Sequence, residues 1–289
     1  MGESTTTKTK TKTDELLDTL HAGIEALTTT EAWTDWLAVA ARFHTYSLNN
    51  QILIWTQNPD ATRVAGYRAW TGLGRQVRRG EKGLRILAPC TYNTTDDTTG
   101  EETRVVRGFR SVAVFDISQT DGDPLPEAPV RTLTGTAPNL FRHQLAALIR
   151  AEGFTCTRAA MPNGHAQANG LTDFGTRTVT VRDDLTDAQA AKTTAHELAH
   201  VLLHQPGTRS TWGTPPTDRG TREIEAESVA YLVCAHAGLD ASDYSFGYVA
   251  GWASGDLDAI RATAERVTTC SHAIAERLDA TTHNSEAAA

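Results

Sequence analysis

The sequence predicts an α+β protein in two domains, and three observations carry that expectation. Amphipathic helical stretches near the start give way to β-rich runs, a proline-rich interval divides the chain, and the second half sets a half-exposed strand directly before a long capped helix. At 289 residues, 39% hydrophobic and 21% charged, the chain is long enough for two ordinary globular domains. The expected division is a disordered tail over 1–13, a first domain over 14–123, a linker over 124–139 within a proline-rich stretch, a second domain over 140–283 and a short tail over 284–289.

In the first half, Leu16, Leu17, Leu20, Ile24 and Leu27 recur at helical spacing behind Thr13, and Trp33, Trp36, Leu37 and Ala40 do so behind Thr30. A third short helix is expected over 47–57. Glycines at 72, 74, 80 and 83 then break the chain, RRGEKG reads as a hairpin turn into the strand LRILAP, and the β-rich run 103–118 can pair with that strand. The small N-terminal domain is therefore α+β as well.

Charge is unevenly spread around the formal net value of -8. Between Arg63 and Arg85 seven basic residues face one acid, Glu81, whereas the last third is acidic. Any one arginine is by default a solvated surface group. Interleaved with Tyr46, Tyr67, Trp70 and Phe109, the cluster has the mixture that tracks a phosphate backbone while stacking bases.

In the second half, Phe141, Leu145, Leu148 and Ile149 predict a helix that ends at Gly153, and RTVTVRDDL alternates as a half-exposed strand does. Thr186, with Gln189 three residues on, starts the next helix. That helix carries TTAHELAHVLLH. Residues four apart on a helix are separated by about 400° of rotation, so His196 and His200 point the same way and can share one ion. Glu197 lies about 100° further round, beside the ion rather than on it. Zinc lowers the pKa of a water toward roughly 7, which lets a neighbouring carboxylate take its proton at neutral pH. Ala195, Leu198, Ala199 and Leu202 mark the helix as largely buried, where unpaired polar groups would be costly. His204 continues the stripe beyond the reach of the same ion and is expected either beside the ligands or at the surface.

A catalytic zinc takes three protein ligands. Glu223 and Glu227, four apart in TREIEAESVAYLV, share one face of the following helix, while Glu225 points about 160° or more away from both. Glu223 is taken as the third ligand and Glu227 as the outer carboxylate that accepts a hydrogen bond from a ligating histidine. The reverse assignment stays open.

Two resemblances add to this reading. The strings YSLNNQILIWTQ, VAGYRAWTGLGRQVRRGEKGLRILAP and VFDISQTDGDPLP, spread over roughly residues 14–126, resemble the N-terminal domain of ArdC-type antirestriction proteins. That resemblance implies binding of single-stranded DNA. Arg75, Arg78, Arg79 and Lys82, crowded at the expected turn, are assigned to backbone contact, with Tyr67 and Trp70 as stacking residues. Asn49, Asn50 and Gln51 match the same strings and are expected to cap and brace the fold. GLTDFGTRTVTVRDDLTDAQAAKTTAHELAHVLLH with EIEAESVAYLV, over about 140–280, resembles the ImmA/IrrE-type metallopeptidases and the C-terminal domain of ArdC proteins. This implies a zincin-like minimal metallopeptidase domain with His196, His200 and Glu223 as zinc ligands and Glu197 as general base. Tyr244 or Tyr248 could donate to an oxyanion, although core packing is the commoner role.

The function expected is a single-stranded DNA-binding protein with a zinc-dependent peptidase domain, associated with antirestriction or a mobile element and acting on an unidentified protein or peptide. Two alternatives are a DNA-occupying factor whose metal is not catalytic and a protease that cleaves a repressor. Cys90, Cys156, Cys234 and Cys270 stand apart with no CxxC pair, and the opening MGESTTTKTKTKT has no apolar core. A cytoplasmic protein without membrane contact is expected.

Overall fold

The computed structural model describes residues 11–95, 102–125, 137–206, 215–239 and 256–286. It divides into two compact units, one holding residues 1–26 and 49–126 and the other 27–48 and 127–289. Residues 27–48, expected in the N-terminal domain, thus pack with the C-terminal half.

In the first unit, α1 (Lys12–Ala26) and α3 (Leu48–Gln57) lie so close at Gly23 that a Cβ there would stand 2.5 Å from Ile52 Cγ2. The cap of α1 is Thr11, whose hydroxyl accepts from Asp14 N, rather than Thr13. Two long antiparallel strands, β3 (Leu84–Thr95) and β4 (Glu102–Asp116), form the expected ladder. The short β1 (Val64–Ala65) extends it in the order β1-β4-β3. The outer edge of β3 is closed by side chains. Asn50 exchanges two hydrogen bonds with the backbone of Leu87, and Gln57 does the same with Arg85. Two amides thereby stand in for a neighbouring strand, which is the work of the NNQ…TQ string.

The stretch RRGEKG is not a hairpin turn between paired strands. β2 (Arg75–Val77) pairs instead with the distant β5 (Thr120–Gly122), with Val77 opposite Thr120. The short helix α4 (Tyr67–Gly72) comes just before it. Asp116 binds this corner together: its carboxylate accepts from the backbone of Thr62, Arg63 and Ser118, and its own backbone N–H donates to the side chain of Gln119.

In the second unit, α2 (Thr30–Arg42), capped by Thr29 rather than Thr30, buries Trp33 and Trp36 edge to face at 5.0 Å. Trp33 Nε1 donates to Ser228 Oγ on α7 (Arg219–His236) at 3.0 Å. A three-stranded sheet has the order β6-β8-β7: β6 (Thr155–Ala159) runs parallel to β8 (Thr178–Arg182), and β7 (Gly170–Asp173) is an antiparallel edge. Val179 and Val181 are buried in β8 while its other positions are half-buried, as the alternation requires. Among the described residues the unit has four further helices: α5 (Ala137–Ala151), α6 (Asp187–Leu203), α7 and α8 (Leu257–Glu286). Thr186 caps α6 by accepting from Gln189 N, and Asp218 caps α7 by accepting from Thr221 N.

Candidate functional site

The alanines and leucines of α6 sink it into the core between α5 and α7 and leave the His196 face turned toward α7. His196 Nε2 and His200 Nε2 face each other at 3.0 Å, and Glu223 Oε2, brought in by α7, lies 3.5 Å from each. One ligand atom from each of these residues falls within 4.8 Å of the others. Three such donors around an ion held at roughly 2.0–2.2 Å take this kind of spacing, so two imidazoles and one carboxylate fit a divalent cation.

The remaining ring nitrogens are occupied. His196 Nδ1 meets Glu227 Oε2 at 2.9 Å, and His200 Nδ1 meets His204 Nδ1 at 2.8 Å. Both Nε2 atoms are thereby left for the common point. Burial opposes charge on His196, but its hydrogen bonds to Glu223 and Glu227 outweigh that and push the imidazole up to about 10. The same two histidines hold the Glu223 carboxyl well below the usual carboxylate range.

Glu197 points to the other side of the helix stripe, toward β7. Thr172 donates its hydroxyl to Glu197 Oε2 at 2.6 Å, and a Cβ on Gly170 would overlap Glu197 Oε1 and come within 2.7 Å of the Thr193 methyl. Glycine at 170 is what admits the carboxylate. Sequence reasoning missed both residues, although a glycine in a strand is itself a sign of close approach.

Two adjoining cavities, of about 260 and 380 Å³, share His196, Glu197 and Gly170 as a common wall. Gln189, Lys192 and Glu227 line the first, and Phe174, Arg219, Arg222 and Glu223 the second. Tyr244 and Tyr248 lie outside the described residues.

The residues assigned to DNA fare differently. Trp70 is fully buried and donates Nε1 to Phe115 O at 2.9 Å, so its ring is core and cannot stack on a base. The Arg75 guanidinium is spent on Thr120 and on the carbonyls of Gly122 and Asp123, where it pins β2 to β5. Arg78 is tied to Glu81 and Ser118 O. Arg79 and Lys82 are exposed and have no ion pair among the described residues, and Tyr67 is exposed with its ring edge-on to Phe115. On the β3–β4 ladder, Tyr92 and Phe109 are exposed at 56% and 59%, alongside exposed Arg107 and Arg110.

The N-terminal domain of anti-restriction factor ArdC matches residues 8–115, and the IrrE N-terminal-like domain, a peptidase family, matches residues 154–240. An uncharacterized protein of Bacillus anthracis is 26% identical over 254 residues, 75% of this chain but only 42% of that relative, so the chain spans less than half its length. Two crystal structures of the antirestriction ArdC protein from plasmid R388 share the fold. The metal-free one has a TM-score of 0.51 at 24% identity, covering 83% of this chain and 86% of that one. The Mn(II)-bound one has a TM-score of 0.55 at 19% identity, covering 93% and 97%. With both matches present in this order, the chain carries a domain similar to the N-terminal domain of anti-restriction factor ArdC followed by an IrrE-like peptidase domain.

Proposed function

We propose that this chain binds single-stranded DNA through its first unit and hydrolyses a peptide bond at a zinc centre in its second. The observation that carries the enzymatic half is the convergence of His196, His200 and Glu223 with a carboxylate, Glu197, held beside them but off the ligand set. The Mn(II)-bound relative supports a divalent ion in a protein of this fold, and the His2Glu donor set suits zinc. When bound, the ion supplies Lewis acidity to a carbonyl and lowers the pKa of a water.

The chain's own residues do the rest. Glu197 Oε2 is engaged by Thr172, which leaves Oε1 to take a proton from the attacking water and return it to the leaving amine. A substrate in extended form has a strand edge beside it, because among the described residues β7 is the edge of its sheet, and its residues Gly170 to Thr172 line the cavities. An off-ligand base and an adjoining cleft favour catalysis over a purely structural ion.

For DNA, exposed Arg79 and Lys82 supply cations and Tyr67 a stacking ring, and Tyr92, Phe109, Arg107 and Arg110 offer the same chemistry along the β3–β4 ladder. The proposed setting is the cytoplasm, in keeping with four free cysteines; no described helix is long and apolar enough to cross a membrane. The test pairs oligonucleotide binding with a peptide-library digest. The full chain should bind single-stranded over double-stranded oligonucleotides, and zinc-loaded protein should cut peptides that Glu197→Gln leaves intact. Equal cleavage by that variant would refute the role of Glu197, and no oligonucleotide binding would refute the DNA half.

A further inference from the structure

The His200 side of the site continues into a chain of buried polar groups. His204, which closes α6, is 2% exposed, and Glu225 on α7 is fully buried. His204 Nε2 meets Glu225 Oε2 at 2.9 Å. The other oxygen, Oε1, takes Arg266 of α8 through Nε at 2.7 Å and through a second, shorter bond, and Arg266 also donates to Thr263 Oγ1 at 3.0 Å. A buried carboxylate is tolerated when paired, and Arg266 does that. Packing alone does not call for His204 between Glu225 and His200, since an apolar side chain would fill the same volume at less desolvation cost.

Each proton in this chain has one place to be. With His200 Nε2 turned to the common point, its proton sits on Nδ1 and is donated to His204 Nδ1. His204 then carries its own proton on Nε2 and donates it to Glu225. We infer that His204 and Glu225, anchored by Arg266, are positioning residues that fix the tautomer and aim of His200, as Glu227 does for His196. This rests on the reading that His196, His200 and Glu223 hold an ion. The two arms differ: His196 is oriented by a half-buried carboxylate, and His200 through a neutral imidazole backed by a fully buried carboxylate that Arg266 pairs.

The test uses the full chain with Zn(II). In zinc-loaded protein labelled with ¹⁵N-histidine, long-range proton–nitrogen spectra should show His200 protonated at Nδ1 and His204 at Nε2. A His204 protonated at Nδ1, or at both nitrogens, would overturn the inference, and this reading needs no variant to fold. By chelator competition, His204→Leu should bind zinc about 10-fold to 100-fold more weakly. His204→Gln, whose amide oxygen and nitrogen can replace the acceptor and donor, should recover most of that loss. Zinc binding unchanged in a folded His204→Leu would overturn the inference alone, whereas a wild-type chain that takes up no zinc would overturn the metal-centre reading beneath it.

Discussion

Thr172 holds Glu197 by a 2.6 Å hydrogen bond to Oε2, from a strand on which only glycine fits two positions earlier. The candidate base is therefore placed by β7 as much as by its own helix. Gly170→Ala should displace the Glu197 carboxylate and lower hydrolysis on the order of 100-fold, since misplacement by an ångström costs about that much. Zinc content should be unchanged. Wild-type hydrolysis in Gly170→Ala would contradict the placement.

Glu223 and Glu227 share a helix face but meet different atoms. Glu223 Oε2 lies 3.5 Å from both Nε2 atoms, whereas Glu227 reaches only His196 Nδ1. Glu223→Ala should abolish measurable zinc binding, and Glu227→Ala should weaken it about 10-fold to 100-fold. Chelator competition ranks the two, and the opposite ranking would exchange their roles.

Zinc uptake should tighten with pH. In metal-free protein His196 is raised to about 10 by Glu223 and Glu227, so the charged imidazole stabilises the fold fully below the ordinary value of 6.5, and that contribution is lost as pH climbs through about 10. The ion must displace this proton. Glu223, shifted downward, is already ionised and releases none. Apparent affinity should therefore rise about tenfold per pH unit between pH 7 and 8, with release of one proton measurable by calorimetry in two buffers. A flat profile would show that His196 does not give up a proton to the ion.

On the DNA side, Arg79→Ala with Lys82→Ala should flatten the slope of log affinity against log salt, by about 0.7 for each phosphate that the variant no longer neutralises. Trp70→Ala should instead cost about 3–5 kcal/mol of stability as a core truncation, and show it in thermal melting. An unchanged salt slope in the double variant would move the DNA-binding surface to the β3–β4 ladder.

What the sequence disclosed is what local periodicity can disclose. Helical rotation places His196 above His200, turns Glu197 aside and separates Glu223 from Glu225, and the structure has that arrangement. Glu225, pointing away from the site face, becomes the buried partner of His204, which no spacing rule states because it depends on Arg266, 41 residues further on. Long-range docking defeated the other expectations. Trp70 and Arg75 look like nucleic-acid residues by composition, yet one is drawn into the core by Phe115 O and the other is consumed by the backbone carbonyls of Gly122 and Asp123. Likewise an amphipathic helix does not declare which core it joins: Trp33 finds Ser228, 195 residues away.

The most direct measurement is elemental analysis of the purified full chain after zinc loading and desalting, run in parallel on His196→Ala, His200→Ala and Glu197→Gln. One zinc per wild-type chain and per Glu197→Gln chain, with none retained by either folded histidine variant, is the predicted result. Stoichiometric zinc in the histidine variants, or none in the wild type, would contradict it.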